Sequence, residues 1–250
     1  MSTDGRSRSP LAAGLAALIL ASLAAACATN GGGSRDLGEE PEIARGGRLY
    51  DNWIKETQAA PQAVAHLAYP QDAGYAGQPD ATWRCKECHG WDYRGRDGAY
   101  ASGKHATGIA GIDAARGRDV AALERVLTDA THGYGDVLAP RDVRALALFV
   151  ANGQVAMDAV IERATKRAHG DATRGMAYYQ TLCAPCHGPD GRAQDMPVLG
   201  EVANDNPWET LHKILNGQPG TAMPALRALE PAVAADVLAY VQTLPQEEAQ

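Results

Sequence analysis

Large side chains are scarce in this chain. A single phenylalanine, Phe149, occurs in 250 residues, and aromatics make up 6% of the whole. Alanine supplies much of the 45% hydrophobic content, so a core built from side chains alone is short of bulk and would profit from a large apolar prosthetic group. Positive charge is short as well. The 23 Lys and Arg against 30 Asp and Glu leave a net charge of −7, which argues against nucleic acid and suits a neutral or basic protein partner. No Ser/His/Asp triad, phosphate-cradling loop or carboxylate pair stands out. Cysteine is limited to five residues, and four of these fall in two short repeats. The length allows one large domain or two of about 100 residues each.

The longest apolar run, LAAGLAALILASLAAA at residues 11–26, has sixteen residues. It follows Arg6 and Arg8, is short for a membrane span and suits the core of a signal peptide, here residues 1–26. The run ends at Cys27. SLAAAC resembles the lipobox of bacterial lipoproteins, with Ala24 where that family prefers leucine. The resemblance implies that Cys27 is the lipidated first residue, and the Gly/Ser-containing stretch after it reads as a flexible tether over 27–42. The alternative is ordinary cleavage after Ala26 or Ala28, with Cys27 removed or left as a spare thiol. Both place the mature chain outside the cytoplasm, in the periplasm or cell envelope.

The repeats are ATWRCKECHGWDYRG, residues 81–95, and QTLCAPCHGPDGRAQ, residues 180–194. In an oxidising compartment four cysteines would ordinarily read as two disulfides. The histidine that follows each pair changes the reading: in Cys-x-x-Cys-His two thiols bond the vinyl groups of a haem and the next imidazole ligates its iron. Cys85, Cys88 and His89 form one such set, and Cys183, Cys186 and His187 the other. A structural zinc site would need facing pairs of ligands, which this spacing does not offer. Two covalent c-type haems are expected.

Residues 171–245 resemble a class I cytochrome c domain. The resemblance rests on GMAYYQ before CAPCHG, then MPVLG, PWETLHKILNG, TAMPAL and PAVAADVLAYVQTLP. It implies a small all-α fold around haem, a Pro197 carbonyl that orients His187, and Met223 as the distal ligand. Met196 competes by residue type but precedes the proximal loop. Trp208, at the start of the middle helix, is either a donor to a haem propionate or a core residue.

The first half can be laid on the second without reference to any family. PRDVRALALFV, residues 140–150, matches PAVAADVLAYV, residues 231–241; LERVL matches LHKIL, GIAG matches PVLG, and GRLYDNW matches GMAYYQT. The fold expected is thus all-α, with two tandem class I cytochrome c-like domains at 43–160 and 171–250 joined by a linker at 161–170. Met223 lies eight residues before Pro231, and the residue eight before Pro140 is His132. His132 is therefore the leading candidate for the distal ligand of the first haem. His105, Lys104 and His66 remain as alternatives, as does an open iron. Residues 54–84 have no counterpart in the second half. They read as an ordered, aromatic-rich insertion, either a cover over the haem or a site for a substrate or partner.

The chemistry expected is single-electron transfer from a lower-potential bis-histidine haem to a His/Met haem, and on to a periplasmic or membrane redox protein. The alternative is an oxidoreductase working at the first haem, of the thiosulfate dehydrogenase or peroxidase type. Every cysteine of the two domains belongs to a haem motif, so the distal cysteine of the thiosulfate enzymes is missing.

Overall fold

The computed structural model describes Met1 and residues 38–247. The expected signal peptide beyond Met1, Cys27 and most of the tether lie outside the described residues. The tether gives way early, because helix α1, Glu40–Thr57, already covers Glu40 to Glu42. Pro41 in its first turn and Glu40 and Glu42 beside the positive helix end favour that start. The backbone leaves helical geometry at Asn52, whose side-chain oxygen accepts the Lys55 amide proton at 3.1 Å and restarts the turn.

The described chain is mostly helical. After α1 come α2 (Pro79–Thr82), α3 (Cys85–His89), α4 (Val120–Leu127), α5 (Pro140–Leu148) and α6 (Met157–Val160). A hairpin of β1 (Ile161–Glu162) and β2 (Arg167–Ala168) follows, with Ile161 opposite Ala168. Then come α7 (Ala172–Leu182), α8 (Ala184–His187), α9 (Leu199–Asp205), α10 (Pro207–Asn216) and α11 (Pro231–Val241). The residues marked as a linker thus contain an ordered hairpin, and Ile161 is fully buried. Among the described residues, no helix is long and apolar enough to cross a membrane.

Three features recur in both halves. A Cβ at Gly46 of α1 would overlap the Ala145 carbonyl oxygen of α5, and a Cβ at Gly175 of α7 would overlap the Asp236 carbonyl oxygen of α11. Each first helix therefore crosses its last helix at a point where only glycine fits. Tyr50 on α1 donates to the Gly90 carbonyl at 2.6 Å, and Tyr179 on α7 donates to the Gly188 carbonyl at 2.8 Å. Gly90 and Gly188 each end a Cys-x-x-Cys-His turn with nearly the same backbone, φ 79° ψ 156° and φ 78° ψ 157°, a conformation that disfavours any side chain. The expected pairing of the first helices is off by one. Gly46, not Gly47, is the counterpart of Gly175, because Gly47 faces Asn216 across the molecule.

Buried side chains from the two halves belong to one continuous cluster, and the described residues from 38 onward form one compact unit. Its centre is the contact of α1 with α10. His212 is fully buried there; its Nε2 donates to the Gly47 carbonyl at 2.9 Å and its Nδ1 accepts from the Tyr93 hydroxyl at 2.8 Å. Tyr50, Trp91, Tyr93 and Phe149 pack around the ring. Beside it Lys213 and Arg84 bond the buried Asp51 at 2.7 and 2.6 Å. Burial opposes the Asp51 charge, yet these two cations hold its carboxyl below the usual value.

Burial pushes His212 from the ordinary 6.5 down to about 4. Between those values the unfolded chain binds the proton and the folded chain does not, so stability falls as pH drops through this window and levels off below it. The full loss attributable to His212 is about 3 kcal/mol. Urea unfolding at a series of pH values should show a shallower slope between pH 6.5 and 4 in His212→Gln than in the wild type. Equal slopes would mean that His212 does not titrate across unfolding.

Candidate functional site

Both Cys-x-x-Cys-His segments form a single helical turn that directs cysteines and histidine to one side. In the first, Cys85 is buried and its thiol lies 3.6 Å from the Tyr134 hydroxyl. Burial pushes Cys85 up to about 11 and Cys88 to about 12, and Cys183 in the second up to about 11. A thioredoxin-like redox pair would need one thiol with a depressed value, the opposite of the shift at these three. Among the described residues no cysteine is in a disulfide.

His89 and His132 face one another. Their ring centroids are 6.4 Å apart and their planes differ by 21°. That is too far for ring stacking in contact. The separation would suit two imidazoles that share one metal ion, since a metal–nitrogen bond of about 2 Å to each can put the centroids about 6 Å apart. The other nitrogen of each ring is engaged: His89 Nδ1 lies 2.7 Å from the Ala110 carbonyl, and His132 Nδ1 lies 3.3 Å from Asp129 Oδ1. This is the outer bonding that metal-bound histidines usually make, and it leaves Nε2 for the metal. Burial holds His89 below its ordinary value, against the pull of the Ala110 bond, which favours the neutral ring that a metal ligand needs.

The loop that carries His132 is tightly specified. Asp129 Oδ1 accepts the amide protons of Thr131 at 2.8 Å and of His132 at 3.0 Å. Gly133 takes a left-handed φ of 64°, and Tyr134 anchors the far side by donating to the Trp83 carbonyl at 2.9 Å.

The other candidates for the first site have partners elsewhere. His105 places Nδ1 2.9 Å from Glu87 and Nε2 3.4 Å from the Tyr75 hydroxyl, and it stacks on Tyr100. The Lys104 ammonium sits 4.5 Å from the Tyr75 ring centroid. His66 uses both nitrogens, Nδ1 to accept from the Ala68 amide at 3.1 Å and Nε2 to donate to the His132 carbonyl at 2.9 Å.

The second site is less closed. Cys186 is exposed and Cys183 and His187 are half-buried. The expected bond from His187 to Pro197 is absent: His187 Nδ1 is buried without a partner. In the first half the orienting carbonyl belongs to Ala110; its counterpart Leu199 opens α9, where helical bonding takes the carbonyl. Met223 is half-buried in the segment between α10 and α11, with its amide bonded to the Thr221 hydroxyl at 3.3 Å. Met196 is 40% exposed. Trp208 is buried, the Arg163 guanidinium lies over its ring, and its indole N–H has no partner. Buried polar atoms are seldom left unpaired, so the orphaned Trp208 N–H fits a polar-edged group beside α10.

Two residues escaped the sequence reading. Asp129 had a signal, standing three residues before His132 with a turn-forming side chain. His212 had only its place in the apolar helix pattern of LHKIL.

Residues 170–241 match the family model described as Cytochrome C oxidase, cbb3-type, subunit III. This stretch carries a cytochrome c domain, a kind of domain that holds haem covalently through Cys-x-x-Cys-His. Cys183, Cys186, His187 and Met223 all lie within the match. No curated protein matches the chain.

Proposed function

We propose that the chain is an exported di-haem c-type cytochrome that relays single electrons between redox proteins. The first half is a second cytochrome c domain, supported by its repeat of the helix crossing, the tyrosine anchor and the glycine turn. Cys85 and Cys88 would hold one haem with His89 and His132 as axial ligands; Cys183 and Cys186 would hold the other with His187 and Met223. When bound, each haem supplies a one-electron iron couple.

The opposed pair His89 and His132 carries this reading. A histidine on each side closes the first site to exogenous ligands, which suits a carrier, whereas an oxidoreductase centred on that site needs an open position. Two nitrogen donors favour the oxidised iron, and a methionine thioether favours the reduced one. Electrons then run from the first half to the second, and the half-exposed second motif faces the acceptor. The apolar run at 11–26 and Cys27 support a place on the periplasmic side of the envelope, with a lipid anchor and with soluble or membrane redox proteins as donor and acceptor.

Spectroscopy of the oxidised full chain tests the carrier reading. Both haems should be low-spin, with one sulfur-to-iron charge-transfer band and only slow change on adding cyanide. A high-spin haem that takes cyanide or peroxide readily would overturn the carrier in favour of catalysis at the first site.

A further inference from the structure

The insertion at 54–84 meets the His132 loop at two points. His66 donates from Nε2 to the His132 carbonyl at 2.9 Å. Tyr134, two residues on, donates to the Trp83 carbonyl at 2.9 Å. His66 and Trp83 are themselves locked together. Their rings meet edge to face with centroids 4.5 Å apart, and the Trp83 indole donates to the Val64 carbonyl at 2.9 Å. The His66 amide donates to Thr82 Oγ1 at 2.8 Å, and that hydroxyl bonds back to the Pro79 carbonyl at 2.6 Å. The base of the insertion is tied to α1 through the Trp53 indole, which donates to the Trp83 carbonyl at 3.0 Å.

From this geometry we propose that the insertion is a brace for the distal loop and that His66 is the positioning residue that fixes His132 towards His89. The inference rests on the reading of His132 as a ligand. The loop 128–134 is otherwise exposed along much of its length, and an exposed loop of this length is the kind of segment that opens locally. Asp129 shapes it from within, and the insertion ties it to the rest of the fold on the side of His132. The His66 bond goes to the backbone of His132, so it holds the loop whatever side chain stands there. His66 is buried, which keeps water from competing for that bond. At this point the insertion acts on the loop, because the buried His66 ring bonds the loop's main chain.

The test compares two substitutions. In a glutamine the amide nitrogen falls near the Nε2 position of histidine; in an asparagine the side chain reaches only as far as Nδ1. His66→Asn removes the bond to His132, and His66→Gln keeps it. Cyanide uptake by the oxidised full chain is the readout, with the low-spin signal and the sulfur-to-iron band followed in parallel. His66→Asn should take cyanide at one haem about ten-fold faster or more, the shift expected from losing one buried hydrogen bond in the closed loop. His66→Gln should stay near the wild-type rate, and the band from the second haem should be unchanged in both. Should His66→Asn fail to fold, Tyr134→Phe removes the second tie and is expected to accelerate uptake in the same way. Wild-type rates in His66→Asn, or in Tyr134→Phe where that variant stands in, would overturn the brace. His132→Ala separates the two levels. If it opens the site to cyanide and His66→Asn does not, the ligand reading stands and the brace falls; if His132→Ala takes cyanide no faster than the wild type, both fall.

Discussion

His132→Met is expected to raise the midpoint potential of one haem by a sizeable part of the roughly 0.8 V range that axial ligation spans, and to leave the other unchanged. The cause is local. Imidazole is a donor that stabilises ferric iron, and a thioether favours the ferrous state. The substitution leaves the loop supports in place, because His66 bonds the main-chain carbonyl of residue 132 and Asp129 bonds main-chain amides of the turn. A spectroelectrochemical titration of the variant checks it, with a second sulfur-to-iron band as the accompanying signature. If neither potential moves, His132 is not an axial ligand. If both move together, the two haems are not independent enough for the assignment.

Met223→His should act in the opposite direction. Replacing sulfur by imidazole withdraws the interaction that favours reduced iron, so the upper potential drops towards the lower one and the two steps converge. The near-infrared sulfur-to-iron band should vanish. A surviving band would mean that another methionine supplies the sulfur. Met196 is the candidate by type, but it is 40% exposed and stands in the segment leading to α9. Met157 is buried after α5 in the core of the first half.

The parts of the fold that were legible in the sequence are those set by short, local rules. The two Cys-x-x-Cys-His turns declare themselves by spacing, and the proline starts of α5 and α11 fix a common origin for counting. That count placed His132, which the structure sets opposite His89. The same alignment pairs Ala145 with Asp236, the residues whose carbonyls meet Gly46 and Gly175. Where two adjacent residues satisfy the same rule, the sequence misleads. Gly46 and Gly47 are both small enough for a helix crossing, and only packing against α5 on one side and Asn216 on the other separates them. The insertion carries no periodicity, so nothing in it revealed that His66 would spend both ring nitrogens on neighbours. His187 shows the limit of carrying a contact across a repeat. The carbonyl that would orient it is absorbed into α9, whose place in the first half is taken by a 3-10 turn, Asp113–Ala115, that begins after Ala110. His212 lies at a contact between segments more than 100 residues apart, its ring bonded to Tyr93 and Gly47, and such a long-range pairing leaves no local signature.

The most direct test of the central claim, two haems of different ligation in one chain, is a redox titration of the full-length wild type followed at the haem bands and at the sulfur-to-iron band. The account predicts two one-electron steps of equal amplitude, with the sulfur-to-iron band tracking the higher-potential step alone. A single step from one haem per chain, or a band that follows both steps, would contradict it.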